Sequence, residues 1–368
     1  MAANDRTVVV LGAGATKACG GPLTDEILPI ALRNKDRIDQ RNQFPIVEEF
    51  LQDHFGYGQP SSWQAPSLTL LMSLIDTALD KRQPFDAKWP IEDLRSLRRA
   101  MEYLIFVTIA HQLAMTTRSG DSHLNMLECL YDRDHEPRIV SLNYDILIDN
   151  AMIAFAESVG RTPMPWYQAD ISSRAYRRVE NPFGYLLKLH GSLNWYDCPA
   201  CHRLGLSFSE KAKTTSKAIY DLFGPGGDFE SEAPMTTEQY FQEGARACYR
   251  CDTAVQPVLV SPTHRKDYRN PHLAATWHEA ERQLRKATRI VVIGYSLPDD
   301  DIDVIYMLKR ALSRKQGVGR PRLEVVQYAG PGADLSGLKQ KYAHLFGTSD
   351  FTWHDKGFES WVQSLPRP

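Results

Sequence analysis

The sequence predicts an α/β fold: a doubly wound, mostly parallel sheet with a helical insertion and a small zinc-binding insertion. Three observations predict it. Short β-branched runs recur along the chain, and each stops at small or polar residues. Helical patterns stand between most of them, the alternation that builds parallel sheets. The first run, residues 6–11 (RTVVVL), goes straight into Gly12-Ala13-Gly14, a strand–turn–helix start typical of doubly wound domains.

After that first strand, Ala15-Thr16 open a helix. A second strand, Arg138–Leu142, ends at Asn143-Tyr144-Asp145 and leads into a helical pattern through about Phe155. A third, Tyr185–Leu189, ends at His190-Gly191. A fourth, Gln256–Val260, precedes a helix near 273–287. The fifth, Arg289–Ile293, ends at Gly294-Tyr295-Ser296, and the sixth is Leu323–Gln327. The carboxyl edge of such a sheet is where ligands bind. Two stretches interrupt the alternation. Residues 35–130 read as helical, and 197–255 hold four cysteines and the loop-like Gly224-Pro225-Gly226-Gly227. The expected division is a core of 1–34, 131–196 and 256–368, a helical insertion at 35–130 for lid or oligomer contacts, and a cysteine module at 197–255.

Composition bounds the function. With 43 Lys+Arg against 45 Asp+Glu in 368 residues, the formal charge is −2, which leaves no overall electrostatic footprint for nucleic acid. No apolar run reaches membrane-spanning length. The N-terminal apolar run feeds a glycine turn rather than a cleavage site, so a cytoplasmic protein is expected.

Cys198-x-x-Cys201 and Cys248-x-x-Cys251 form two close pairs. Four thiolates in this pattern suit tetrahedral zinc with no open position for water, hence a structural site; redox pairing is the alternative. His202 is not needed as a ligand. Cys19 and Cys129 read as small buried hydrophobes. Gly12-Ala13-Gly14 lacks the third glycine of G-x-G-x-x-G because Lys17 stands there, so it is either a phosphate-binding turn or a plain tight turn. Thr16 could meet phosphate or cap the helix. Asn143 and Asp145 read as turn and N-cap, or, with His190, as groups converging on one cleft, where histidine could act as a base. The acidic run Asp299, Asp300, Asp301 and Asp303 is read as a helix N-cap with first-turn carboxylates rather than a cation site.

Taken in order, Gly12-Ala13-Gly14-Ala15-Thr16, Ser141-Leu142-Asn143-Tyr144-Asp145, Leu189-His190-Gly191, the four cysteines and Gly294-Tyr295-Ser296 resemble the sirtuin-type NAD-binding domain, a Rossmann-like core. The wording of the motifs resembles the bacterial antiphage-defence branch more than the deacylases. The resemblance implies that Gly12, Ala13, Gly14 and Thr16 hold the pyrophosphate. It implies that Asn143 contacts the nicotinamide ribose and places a water, that Asp145 binds the carboxamide, and that His190 is the base. Gly294 and Ser296 would line the phosphate or adenosine side, with Zn2+ away from the chemistry.

Departures from the deacylase pattern bear on activity. The D-F-R element is absent from Gly20–Glu26, and Val260-Ser261-Pro262-Thr263 replaces F-G-E. Gly14 and Asn143 stand 129 positions apart, and Asn143 and His190 47, both longer than in deacylases. The expectation is therefore an NAD glycohydrolase that takes NAD as substrate and yields nicotinamide and ADP-ribose. An NAD-dependent deacylase or ADP-ribosyltransferase, and a non-catalytic NAD or ADP-ribose sensor, are the alternatives. The resemblance further implies a gated homo-oligomer with a motor ATPase, nuclease, short Argonaute or phage protein as partner, without nucleic-acid or membrane binding of its own.

Overall fold

Five of the six predicted strands enter one six-stranded parallel sheet in the computed structural model. It describes residues 6–59, 63–115, 121–132, 135–168, 181–206, 248, 250–253, 255–264, 266–313, 319–330, 332–347 and 350–366. The expected loop at Gly224–Gly227 lies outside them. Strands β1 (Thr7–Leu11), β2 (Arg138–Ser141), β3 (Tyr185–Lys188), β7 (Arg289–Ile293), β8 (Arg322–Val326) and β9 (Thr352–His354) lie in the order β3-β2-β1-β7-β8-β9. The residues of β1 are 0–2% exposed, as a central strand covered on both faces requires.

Register fixes where the strands end. Leu11 pairs with Ser141 and Ile293, Ser141 with Lys188, and Ile293 with Val326. The next residues, Gly12, Leu142, Leu189, Gly294 and Gln327, therefore leave the sheet along one line. Strand order reverses at β1, between β2 and β7, which makes this line the topological switch point of a doubly wound sheet.

The chain forms two compact units. The first comprises residues 1–21, 116–192 and 268–368. In addition to the large sheet it holds α1 (Ala13–Ala18), α6 (Asp121–Leu130), α7 (Leu147–Ser158), α8 (Pro271–Lys286), α9 (Ile302–Leu312), α10 (Ser336–Phe346) and α11 (Phe358–Ser364). Val8, Val10, Val140, Leu187, Ile290, Val292 and Val325 form one face of the core with Ala280 and Leu284 of α8 and Val304 and Leu308 of α9. Helix α8 starts where the sequence dictates. Pro271 takes the first helical position, and Asn270 Oδ1 accepts from the amides of His272 (2.9 Å) and Leu273 (3.4 Å).

The second unit comprises residues 22–115 and 193–267. Helices α2 (Thr24–Ile38), α3 (Phe44–Phe55) and α4 (Leu68–Lys81) pack on the long α5 (Ile91–Met115). A small sheet in the order β5-β4-β6 completes it, from β4 (Gly191–Asp197), β5 (Leu204–Leu206) and β6 (Gln256–Leu259). The fourth predicted strand thus forms, but in this sheet and not in the parallel core. Pro257 within it offers no N–H, so only an edge strand suits it.

Three glycines set the spacing at the switch point. Gly12 N donates to Ile293 O (2.9 Å) and Gly14 N to Gly294 O (2.8 Å). A Cβ on Gly12 would stand 2.6 Å from Gly294 O, and one on Gly14 2.6 Å from Gly294 Cα. Gly294 itself holds φ +63°, and a Cβ there would run into Gly14 and Ala15 backbone. Gly294→Ala is expected to destabilise the protein by about 2–4 kcal/mol, read as a lower denaturant midpoint at unchanged slope. An unchanged midpoint would show that the contact is not required.

Candidate active site at the carboxyl edge of the parallel sheet

Most of the motif residues meet along this edge of the first unit. Asn143, 9% exposed, donates from Nδ2 to Gly12 O (2.9 Å), and its own amide donates to Ser141 Oγ (3.2 Å). The amide plane is thereby fixed, with Oδ1 left as an acceptor among the described residues. Asp145 is buried. Its Oδ2 accepts from Thr16 Oγ1 (2.5 Å) and its Oδ1 from Leu147 N (3.0 Å). The N-cap position of α7 is Ile146, but Asp145 supplies the carboxylate that satisfies the helix's first-turn amide.

His190 follows β3 and is 5% exposed. Its Nδ1 lies 3.1 Å from Leu142 O; a carbonyl can only accept, so Nδ1 carries the proton and Nε2 is the nitrogen left to accept. Nε2 lies 3.7 Å from Asp301 Oδ1, and Asp301 Oδ2 accepts from Tyr295 OH (3.1 Å). Trp277 Nε1 donates to Leu189 O (3.0 Å), which steadies the chain just before the histidine. Tyr144 lies beside the imidazole, with ring centroids 6.5 Å apart. A histidine held in one tautomer by a carbonyl and faced by an anchored carboxylate is equipped to take and hold a proton.

Several sequence expectations are revised here. Thr16 is not the cap, since Gly12 occupies the N-cap position; it is 5% exposed inside α1, with its hydroxyl donating to Asp145. The N–H groups of Gly12 and Gly14 bind the end of β7, so these glycines serve close backbone approach, while Ala13 is half-buried at the first turn of α1. Gly294 belongs to that contact, and Ser296 is exposed beyond it. Asp301 stands at the N-cap position of α9 but makes no side-chain cap; its carboxylate turns to Tyr295 and His190 instead. Asp299 pairs with Lys341 at 2.8 Å, and only Asp303 lies in the first turn as expected.

A second buried histidine lies nearby. His123 of α6 is 1% exposed, its Nδ1 3.5 Å from Cys19 Sγ and its ring edge-on to Phe358 of α11, with centroids 5.1 Å apart. Burial pushes it down from 6.5 to about 4, against the opposing pull of the Asp145 charge, so it is neutral at pH 7. Cys19, at 2% exposure, is the buried residue expected, with this imidazole as a polar neighbour. Cys129 is half-buried.

The four cysteines of the second unit meet as the spacing requires. Their Sγ atoms all lie within 4.8 Å of one another, with Cys198–Cys251 at 3.4 Å and Cys201–Cys248 at 3.6 Å. Tetrahedral zinc with Zn–S bonds of about 2.3 Å needs sulfurs about 3.8 Å apart, so the cluster fits it. Both C-x-x-C turns close alike. Cys198 N donates to Arg203 O (3.1 Å) and His202 N to Cys198 O (2.8 Å), while Cys248 N donates to Thr253 O (2.9 Å) and Asp252 N to Cys248 O (2.8 Å). His202 and Asp252 take the same left-handed corner, at φ +51° and +57°. His202 is exposed at that corner and stands outside the sulfur cluster.

No protein-family model matches the chain, and no curated protein matches it. Among solved structures it is similar to a Sir2–p53 peptide–NAD+ complex, at 11% identity and TM-score 0.42, over 97% of this chain and 90% of that one. It is also similar to a Sir2 homologue–NAD complex, at 12% identity and TM-score 0.40, over 98% and 88% of the two chains. A structure described as the basis for the mechanism and regulation of Sir2 enzymes matches at 12% identity and TM-score 0.40, over 97% and 88%. Among the described residues no helix is long and apolar enough to cross a membrane.

Two outcomes follow from this geometry. Between pH 6.5 and 4 the unfolded chain binds a proton at His123 that the folded chain refuses, so stability falls as pH drops through that window. The loss between pH 7 and 5 is about 2 kcal/mol, and His123→Asn is expected to remove most of it in denaturant titrations at the two pH values; an equal loss in the variant would contradict the assignment. Cys248→Ser is expected to lower bound zinc, measured by atomic absorption, well below one ion per chain, together with the thermal midpoint.

Proposed function

We propose that this chain cleaves NAD at the nicotinamide–ribose bond, taking NAD and water to nicotinamide, ADP-ribose and a proton. The observation that carries the reading is the meeting of Asn143, Asp145 and His190 beside the Gly12–Gly14 turn, on one sheet edge and at its switch point. These are the residues on which the sirtuin-type resemblance rests, and no metal is required among them.

In this reading the C1′–N bond breaks with its electron pair leaving on nicotinamide, and the ribose passes through an oxocarbenium-like state. Asn143, its Nδ2 tied to Gly12 O, offers Oδ1 to orient the attacking water. Asp145, whose carboxylate oxygens already accept from Thr16 Oγ1 and Leu147 N, would meet the carboxamide through their remaining lone pairs. His190, oriented by Leu142 O and faced by Asp301, takes the water's proton directly or through the ribose hydroxyls. The four cysteines of the second unit would hold zinc through four thiolates, a closed and therefore structural coordination.

An NAD-dependent deacylase or transferase is the second reading, and one observation weighs against it. Where deacylases carry F-G-E for pairing with an acyl peptide, Val260–Thr263 is buried within the second unit. Ser261 Oγ accepts from Arg98 Nη2 (3.0 Å), and Thr263 Oγ1 lies 3.2 Å from Ser73 Oγ. The next amide, His264 N, donates to Ser73 Oγ (2.9 Å). Little of this segment is open for a peptide strand. We further propose a gated effector of the antiphage-defence type, in which a protein partner or a phage protein triggers assembly and turnover.

The test is nicotinamide release from NAD by the purified chain without peptide. His190→Ala is expected to lower kcat by about 10²–10⁴-fold, Asn143→Ala by at least about 10²-fold and Asp301→Asn by about 10-fold, with thermal midpoints held. Release that requires acyl peptide would favour the deacylase; release only with extract of the native host would identify a gate. Turnover unaffected in His190→Ala would overturn the proposed site.

A further inference from the structure

The large sheet encloses an ion pair that the chemistry above does not use. Lys188, the last residue of β3, is 0% exposed, and its ammonium donates to Asp149 Oδ2 at 3.0 Å and to the backbone carbonyl of Asp145 at 2.5 Å. Asp149, in the first turn of α7, is 1% exposed, and its Oδ1 accepts from Tyr167 OH at 2.7 Å; Tyr167 is 0% exposed. Strand alternation explains the direction. Leu187 and Leu189 point into the apolar layer under α8 and α9, so Lys188 points to the opposite face, towards α7.

Such a group is an expensive way to fill a core. Desolvating an ammonium and a carboxylate offsets much of their attraction, and well-packed apolar replacements of similar volume are often at least as stable. What an apolar set cannot do is hold the carbonyl of Asp145. That residue's two carboxylate oxygens already accept from Thr16 and Leu147 N, and Lys188 takes its backbone carbonyl. The same lysine stands two residues before His190, so one side chain ties the strand bearing the histidine to the turn bearing Asn143 and Asp145.

We infer that Lys188 is a positioning residue: its buried ammonium fixes the Asn143–Asp145 turn relative to His190, and Asp149 with Tyr167 is there to hold that ammonium in place. The catalytic consequence rests on the NAD-cleaving reading; the positioning itself does not.

The test separates positioning from stability. Lys188→Met alone strands the Asp149 carboxylate, so the informative variant is Lys188→Met with Asp149→Leu and Tyr167→Phe, which replaces the whole group by apolar side chains. It is expected to melt at or above the wild-type temperature. Amide hydrogen exchange at Asn143 and Leu147 is expected to quicken by at least about 10-fold relative to β1 amides in the same sample. In nicotinamide release, kcat is expected to fall at least about 10-fold with KM within about 3-fold. Lys188→Gln, which retains a donor without the charge, carries the same readouts if the triple variant is not recovered folded. Exchange within about 2-fold of wild type overturns the inference. Quickened exchange in a chain whose wild type never cleaves NAD, with any addition, supports positioning and overturns the NAD reading instead.

Discussion

Asp145 is the point on which the candidate site depends. Its carboxylate takes the hydroxyl of Thr16 from α1 and the amide of Leu147 from α7, and its carbonyl takes the ammonium of Lys188 from β3. Thr16 and Lys188, far apart in sequence, are therefore tied to one buried residue at the start of α7, each by a bond to a group that would be costly to leave unmet. Asn143 adds a fourth tie through its amide to Gly12 O. Because the strand ends are already in register, these side-chain bonds need only fix rotamers and turns. That is what a site requires when it must hold a water or a sugar within a fraction of an ångström.

The approach of the first turn to the end of β7 makes those ties possible. Gly12, Gly14 and Gly294 let two backbones come within hydrogen-bonding range where any side chain would intrude. Gly294 and then Leu297, both at positive φ, turn the chain back on itself. This return brings Asp301 under Tyr295 and opposite His190. The acidic run after β7 thus contributes one carboxylate to the histidine, one to an exposed ion pair and one to the start of a helix, three fates from near-identical residues.

Strands β1, β2, β7 and β8 were legible because each is a β-branched run bounded by small or polar residues, and β3 as an apolar run ending at His190-Gly191; hydrophobic periodicity marks such runs well. Legible too were the zinc-type cysteine pairs and the gathering of Asn143, Asp145 and His190, since turn residues at strand ends fall on one edge once the sheet is parallel. Strand β4 escaped because its Asn194 and Asp197 break the apolar pattern, and β9 because it is only three residues long. Gln256–Val260 reads as one more core strand by hydrophobicity but forms in the small sheet, where Pro257, lacking an N–H, suits an edge. Lys188 and Asp301 escaped for another reason. Nothing local distinguishes a lysine that ends a strand buried from one that ends it in solvent, or a capping aspartate from one that turns inward; only the long-range partners Asp149 and Tyr295 decide.

The most direct test of the central claim is product analysis after NAD is incubated with the zinc-loaded chain in oxygen-18 water. Equal amounts of nicotinamide and ADP-ribose, with a single heavy oxygen on the anomeric carbon, are the result this account expects. NAD that stays intact with the chain alone, with acyl peptide and with host extract would contradict it. So would an acylated ADP-ribose formed only when acyl peptide is supplied.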